Sequence, residues 1–236
     1  NDSSIRISNY YKGNIISIVL LFFSLTAIYS SYKNYISLKD QGILYADYMG
    51  LNKRMFYSSK DILKVQETFP NITTTTLPIN ELKANYFIQE EKYNEAIKIL
   101  KEKNLNPYLG LRESLMAQAY GGLKNHDSTY KYFKMAFYKI PNNESHSTNL
   151  FNQLRRRNDA NEIEKTFNMI KFKSPLVWKA YLNAKSEVLG PGNKEMIKII
   201  DSLKKVYPED EGFNDIYKYV RIGKANTVVA LNAVQF

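Results

Sequence analysis

The chain has 236 residues and a formal net charge of +10, with 44% hydrophobic and 14% aromatic residues; Tyr accounts for 19 of the aromatics and Trp for one. That composition belongs to a folded chain with room for one membrane segment and about six helix pairs or fewer. The sequence has no cysteine, which excludes disulfides and thiolate metal sites, while the positive charge suits nucleic acid, anionic lipid or an acidic polymer alike.

The first residue is Asn, not Met, so a processed precursor or part of a longer chain is expected. Residues 1–14 form a flank. The run IISIVLLFFSLTAIY, residues 15–29, carries no charge, and the uncharged stretch extends over 13–32. About twenty residues is the length a spanning helix needs. Tyr10, Tyr11, Tyr29 and Tyr32 bracket it where aromatic belts form. A signal peptide would use Arg6 and Lys12 as its charged region, but the long run and the lack of a small-x-small cleavage site oppose that reading. The bland alternative is a buried helix of a soluble core. A transmembrane helix over 15–32 is expected, with lipid around residues 13–32. Its orientation stays open, because Lys33, Lys39, Lys53 and Arg54 follow the span much as Arg6 and Lys12 precede it.

Residues 33–69 read as a helical connector or a diverged first helix pair. Tyr35, Leu38, Tyr45, Tyr48 and Met49 mark one side, and Met55, Phe56, Ile62, Leu63 and Val65 a second pattern after Gly50. Residues 70–78, PNITTTTLP, place four β-branched residues between two prolines, which disfavours helix and predicts an extended linker. Its Asn71-Ile72-Thr73 triplet matches a glycosylation acceptor, a pattern frequent by chance.

Helix pairs then follow at a fixed spacing. Ala84, Phe87, Ala96 and Leu100 lie 33 residues before Ala117, Tyr120, Thr129 and Phe133. Phe133, Ala136 and Pro141 recur 34 residues on as Phe167, Ile170 and Pro175, and Tyr181, Ala184, Val188, Met196, Ile200 and Leu203 continue the pattern to Pro208. Small residues let helices approach closely and the rings fill the gap to the next pair, as in a stacked array. The region 209–236 reads as capping helices, with Phe213, Ile216, Tyr217 and Val220 on one face; an apolar end at Phe236 suggests that the native chain continues or meets a partner there.

On Ala84, Phe87, Tyr93, Ala96, Leu100, Ala117, Tyr120, Phe133, Ala136 and Pro141, and on Phe151, Leu154, Ile163, Phe167, Ile170 and Pro175, residues 79–208 resemble four tetratricopeptide repeats. The fourth departs from the pattern: Gly190-Pro191-Gly192 splits its helices, and Met196 stands where the family has a small residue. The resemblance implies an all-α fold, one N-terminal transmembrane helix followed by a right-handed superhelical array. It also implies a concave groove lined by Glu81, Asn85 and Ile88, by Ser114, Gln118 and Gly121, by Thr148, Asn152 and Arg155, and by Trp178, Tyr181 and Lys185. An apolar helix leading into a Tyr-rich connector and such an array also resembles the carboxy-terminal part of O-antigen-ligase-like glycosyltransferases of the bacterial envelope. That implies an extracytoplasmic accessory domain whose catalytic part lies upstream.

Chemistry has little support. His126 and His146 stand in polar turns, where a metal site shared with Asp127 or Glu144 is conceivable but ordinary turn residues are the plainer account. Glu90, Glu91, Glu209, Asp210 and Glu211 fit solvated turns and helix starts. No Ser lies in a glycine-flanked nucleophile turn, and neither Gly121-Gly122 nor Gly190-Pro191-Gly192 leads into a phosphate-loop Lys-Ser/Thr. Catalytic residues, metal and cofactor are therefore all expected to be none, and dispersed charge argues against nucleic acid. Arg155-Arg156-Arg157 reads either as solvated charge at a helix end or as an anion or partner contact. Binding is the expected function: a membrane-anchored scaffold in the bacterial inner membrane, array periplasmic, taking a protein subunit or peptide, with a glycan as the other occupant of an amide-rich, aromatic groove.

Overall fold

In a computed structural model, which describes residues 2–51, 54–65, 76–102 and 106–222, the elements of the described residues are all α-helices. The first, α1 (Asp2–Tyr48), runs unbroken through the expected flank, span and first half of the connector. Nothing in the sequence stops it: the stretch holds no Pro, and Gly42 continues the helical hydrogen bonding. Residues 14–32 are exposed throughout, and Asn14–Tyr48 is long and apolar enough to cross a membrane. Further along α1, Ser37, Gln41, Leu44 and Asp47 are buried on one face at helical spacing. This corrects the expected connector face: Tyr35 is 64% and Leu38 55% exposed, and both prolong the apolar surface of the span.

A short α2 (Ser59–Ile62) follows, then α3 (Ile79–Gln89) with α4 (Tyr93–Leu100), α5 (Leu111–Gly122) with α6 (His126–Lys139), α7 (Glu144–Arg157) with α8 (Ala160–Met169), α9 (Pro175–Leu189) with α10 (Lys194–Val206), and α11 (Glu211–Ile222). Most of the expected Pro/Thr linker, and the expected second capping run from 223 onward, lie outside the described residues.

The turns inside the pairs carry the repeat more regularly than the stacking residues do. Glu91, Lys124, Asn158 and Gly192 all have positive φ, between 56° and 83°, and recur at spacings of 33, 34 and 34 residues. Each ends the turn before the second helix of its pair. The next residue is the N-cap: Lys92, Asn125, Asp159 and Asn193. In the last three, a side-chain oxygen accepts from a first-turn backbone N–H, Asn125 from Ser128 at 3.0 Å, Asp159 from Glu162 at 3.0 Å and Asn193 from Met196 at 3.1 Å. Such a cap satisfies one of the donors that a helix start leaves unpaired. Asn143 and Ser174 cap α7 and α9 in the same way, with Pro175 at the first position of α9, where its missing N–H costs nothing.

Two apolar clusters form the core. One gathers Leu44, Ile62, Val65 and the buried faces of α3, α4 and α5; the other runs from Phe137 through α7–α10 to Val220 in α11. Ala84, Phe87, Ala96, Leu100, Ala117, Phe133, Ala136, Phe167, Ile170, Tyr181, Ala184, Met196, Ile200 and Leu203 are all buried, as their stacking assignment requires. Where α5, α6 and α7 meet between the clusters, the packing turns polar. Lys139 Nζ donates to Glu113 at 2.6 Å, Ser147 Oγ to the Pro141 carbonyl at 3.0 Å, and His146 Nε2 lies 3.0 Å from the Leu109 carbonyl. Gly110 (φ +68°) is required there: a Cβ would stand 2.9 Å from both the Ala136 carbonyl oxygen and His146 Nε2.

His146 is thus a buried packing residue of this seam, not an exposed turn residue, and its Nδ1 has no hydrogen-bond partner among the described residues. Burial pushes its pKa down, and the Leu109 contact and the Glu113 charge offset only part of that. A depressed folded pKa contributes stability above the unfolded value, about 6.5, and that stability is lost as pH falls through the folded pKa. We therefore expect the urea midpoint of the chain in mild detergent to drop between pH 7.5 and pH 5.5. His146→Gln should lower the midpoint at pH 7.5 and flatten this slope; an equal slope in the variant assigns the titration elsewhere.

Candidate functional site

The expected groove residues divide into buried and accessible sets. Glu81, Asn85 and Ser114 are at most 6% exposed, and Ile88 and Tyr181 are buried with them. Gln118, Gly121, Thr148, Asn152, Arg155, Trp178 and Lys185 are half-buried and reach the surface. For the buried set the structure replaces an accessible groove with packing, for two separate reasons.

The first is that helix α3 is covered on every side. Its residues 79–88 are all buried, because α1, α2, α4 and α5 all pack against it. Polar ties bind the segment before the array to this helix. Asp47 accepts hydrogen bonds from the Tyr86 hydroxyl and from the Phe56 backbone N–H, the latter at 2.7 Å. Lys83 Nζ donates to the Val65 carbonyl at 2.8 Å. Ser59 donates through its N–H and Oγ to Glu90, both at 2.6 Å, and Lys92 Nζ lies 2.6 Å from the same carboxylate. These bonds, Lys92's first, hold the Glu90 carboxyl down to about 2. Glu81 is paired with Arg112 at 3.2 Å; burial nonetheless raises its pKa, more than the Arg112 charge lowers it. Glu81 and Lys83 therefore belong to the packing of α3.

The second reason lies on α9. The Tyr181 ring stacks on Phe167 with centroids 3.8 Å apart and meets Phe151 edge-on, while Trp178 leans on Phe167 at 4.6 Å. The Tyr181 hydroxyl donates to Glu164 at 2.9 Å, and Lys185 Nζ reaches Tyr181 Oη at 2.9 Å, Glu164 at 2.5 Å and Glu195 at 3.2 Å. Burial, opposed by Lys185 and helped by Glu164, puts the Tyr181 hydroxyl at about 12. Burial alone would lower Lys185, but the bonds to Glu164 and Tyr181 outweigh it and raise it. These groups hold α8, α9 and α10 together.

What remains accessible is a surface from Gln118 on α5 through Thr148, Asn152 and Arg155 on α7 to Trp178 on α9. Arg155 Nη1 lies 3.5 Å from Glu187. A second accessible feature was not assigned from the sequence: Tyr130, Lys134 and Tyr138 stand one turn apart along α6. Lys134 Nζ is 3.1 Å from Tyr130 Oη and 2.9 Å from Glu162, and Tyr138 Oη donates to Glu162 at 3.2 Å. Arg157 sits over the Tyr130 ring at 4.4 Å and Lys165 by the Tyr138 ring at 5.7 Å. The i, i+4, i+8 spacing of Tyr, Lys and Tyr was the available signal, but Tyr130 is three residues before Phe133 and so also shares the apolar face of α6. Such a surface offers amides, cations and ring edges for recognition. Among the described residues, no group of three or more His, Asp and Glu could hold a metal ion, and His126 and His146 stand at opposite ends of the α6–α7 hairpin.

These features define the class: a membrane-associated chain whose described residues form one apolar N-terminal helix and a succession of packed helix pairs. No family model, curated protein or solved structure matches it.

Proposed function

We propose that this chain is a membrane-anchored scaffold whose tetratricopeptide-like array holds a protein partner in a bacterial envelope assembly, the array lying on the periplasmic side of the inner membrane. The observation that carries this reading is the continuity of α1. One end of the helix is an exposed apolar span, and the other is locked by Leu44 and Asp47 onto the first inner helix of the array. At 1.5 Å per residue, the uncharged run 13–32 is about 30 Å long, the thickness of a bilayer's hydrocarbon core. The array is thereby fixed to the membrane surface without a flexible joint, which suits a platform more than a free carrier. The regular turns at Glu91, Lys124, Asn158 and Gly192 support the repeat reading. The accessible amides Gln118 and Asn152, with Arg155 and Trp178, are the partner-facing residues of this proposal.

The absence of cysteine makes the test direct. In a bacterial host, a single Cys introduced at exposed Phe172 should react with a membrane-impermeant maleimide once the outer membrane is permeabilised, and the chain should resist carbonate extraction. A photocrosslinker at Asn152 should capture one discrete protein. Release by carbonate removes the anchor, labelling only after inner-membrane lysis reverses the topology, and no adduct at Asn152 or Gln118 removes the scaffold role.

A further inference from the structure

Helices α6 and α7 form an antiparallel hairpin joined at residues 140–143, so the start of α6 and the end of α7 lie side by side at its open end. A cleft of about 320 Å³ opens there, lined by His126, Tyr130, Gln153, Arg156 and Arg157. That volume lies at the small end of the range of ligand sites, which runs from about 300 to 1,000 Å³.

Four features of this cleft point to one kind of occupant. Arg156 is exposed and makes no ion pair or hydrogen bond among the described residues. Arg157 is held over the Tyr130 ring at 4.4 Å and touches Asp127 at 3.1 Å in an exposed pair, a weak contact that a competing anion can replace. The first turn of α6 turns backbone N–H groups toward the same end, and the Asn125 cap engages the one of Ser128. Gln153 is only 9% exposed, lines the cleft, and makes no hydrogen bond among the described residues. Its stem is packed, and its carboxamide lines the cleft, where it can donate to an occupant. His126 adds a ring N–H at the rim. Donors thus converge from two helices, no carboxylate is among the lining residues, and Asp127 beside the cleft is paired with one of the two guanidinium groups.

We propose that this cleft binds an oxyanion group, carboxylate or phosphate, held by the Arg156 guanidinium fork, with the Gln153 amide and the start of α6 completing its hydrogen bonds. Guanidinium matches both groups in a bidentate fashion, and Arg157 can transfer from Asp127 to the bound group while keeping its seat on Tyr130. This inference stands on the α6–α7 hairpin and not on the scaffold reading: failure of crosslinking at Asn152 leaves it untouched.

The test is isothermal titration of the full chain in mild detergent with inorganic phosphate and, separately, with succinate. Saturable one-to-one binding is expected, weakened at least tenfold by Arg156→Ala and by Gln153→Leu and unchanged by Lys198→Ala, an exposed cation on α10. Arg156 is exposed, so its variant should keep the wild-type melting curve and decides the matter even if Gln153→Leu is unstable. Response to phosphate alone, succinate alone or both supports the site and identifies the source of the oxyanion. No saturable binding of either, undiminished binding in Arg156→Ala, or an equal loss in Lys198→Ala overturns it.

Discussion

Replacing Phe151 with Ala is expected to destabilise the array by about 3–5 kcal/mol, the range for removing a buried ring from a packed core. Phe151 is fully buried at the centre of the larger cluster and meets the Tyr181 ring edge-on at 6.0 Å. Tyr181 in turn stacks on Phe167 and bonds to Glu164. The cavity would therefore open beneath the contacts that join α7, α8 and α9. The Phe167 and Tyr181 rings that remain on α8 and α9 are locked face to face and cannot collapse into it together, so the cost should fall near the upper end of the range. For a chain of this size each kcal/mol shifts the melting temperature by roughly 2–4 °C, so a fall of roughly 10 °C or more should appear in a thermal melt. Phe172→Ala is the control, because that ring is 77% exposed and its loss should be nearly silent. If Phe151→Ala melts with the wild type, the ring contacts of α7 with α9 do not hold the larger cluster together.

The second large effect is expected at Asp47. Asp47→Ala would strand the Tyr86 hydroxyl and the Phe56 N–H, both of which now donate to its carboxylate. The Tyr86 hydroxyl is buried, and such a donor left unpaired costs about 1–3 kcal/mol, whereas Phe56 is exposed and water can take over its N–H. The first consequence should be local: α1 loosens from α3, and the connector around residues 49–65 becomes open to protease while α7–α11 stay protected. The double variant Asp47→Ala/Tyr86→Phe removes one stranded donor with its acceptor and should recover part of the loss, a non-additivity readable in a double-mutant cycle. Protease resistance equal to wild type in the single variant would mean that apolar contacts such as Leu44 alone hold the membrane helix to the array. Burial, and then Asp47, push the Tyr86 hydroxyl pKa upward, so this tie stays protonated and intact across the neutral range.

Much of the fold was legible in the sequence because it rests on local rules. The uncharged run 13–32, the alternation of small and aromatic residues at 33–34 spacing, and Pro141, Pro175 and Pro208 at helix boundaries act over a turn or two of helix, and the described helices follow them. The capping residues carry a stronger signal than the stacking residues. Asn125, Asp159 and Asn193 recur at 34 residues, each after a positive-φ position and each capping the second helix of a pair. Capping depends on one side chain and the next three N–H groups, so it survives where stacking residues drift, as in the fourth pair with Met196.

The site was less legible, because exposure is decided by what packs from elsewhere. Glu81, Asn85 and Ile88 read as the open face of an inner helix, yet α1 and the 54–65 segment cover that helix through contacts such as Asp47–Tyr86 and Lys83–Val65, 39 and 18 residues apart in sequence. Tyr181 read as a recognition ring and is consumed by Phe151 and Phe167. Conversely, Arg156, Gln153 and His126 come together only because the α6–α7 hairpin brings the two ends of a 32-residue stretch side by side. The sequence by itself determined that the chain is helical, paired at a regular interval and preceded by an apolar helix, since periodicity and capping are properties of neighbouring residues. Tertiary structure alone decided that the apolar helix packs on the first helix pair, which of the expected groove residues are buried and where the Arg156 guanidinium meets the Gln153 amide, since burial and convergence are properties of residues distant in the chain.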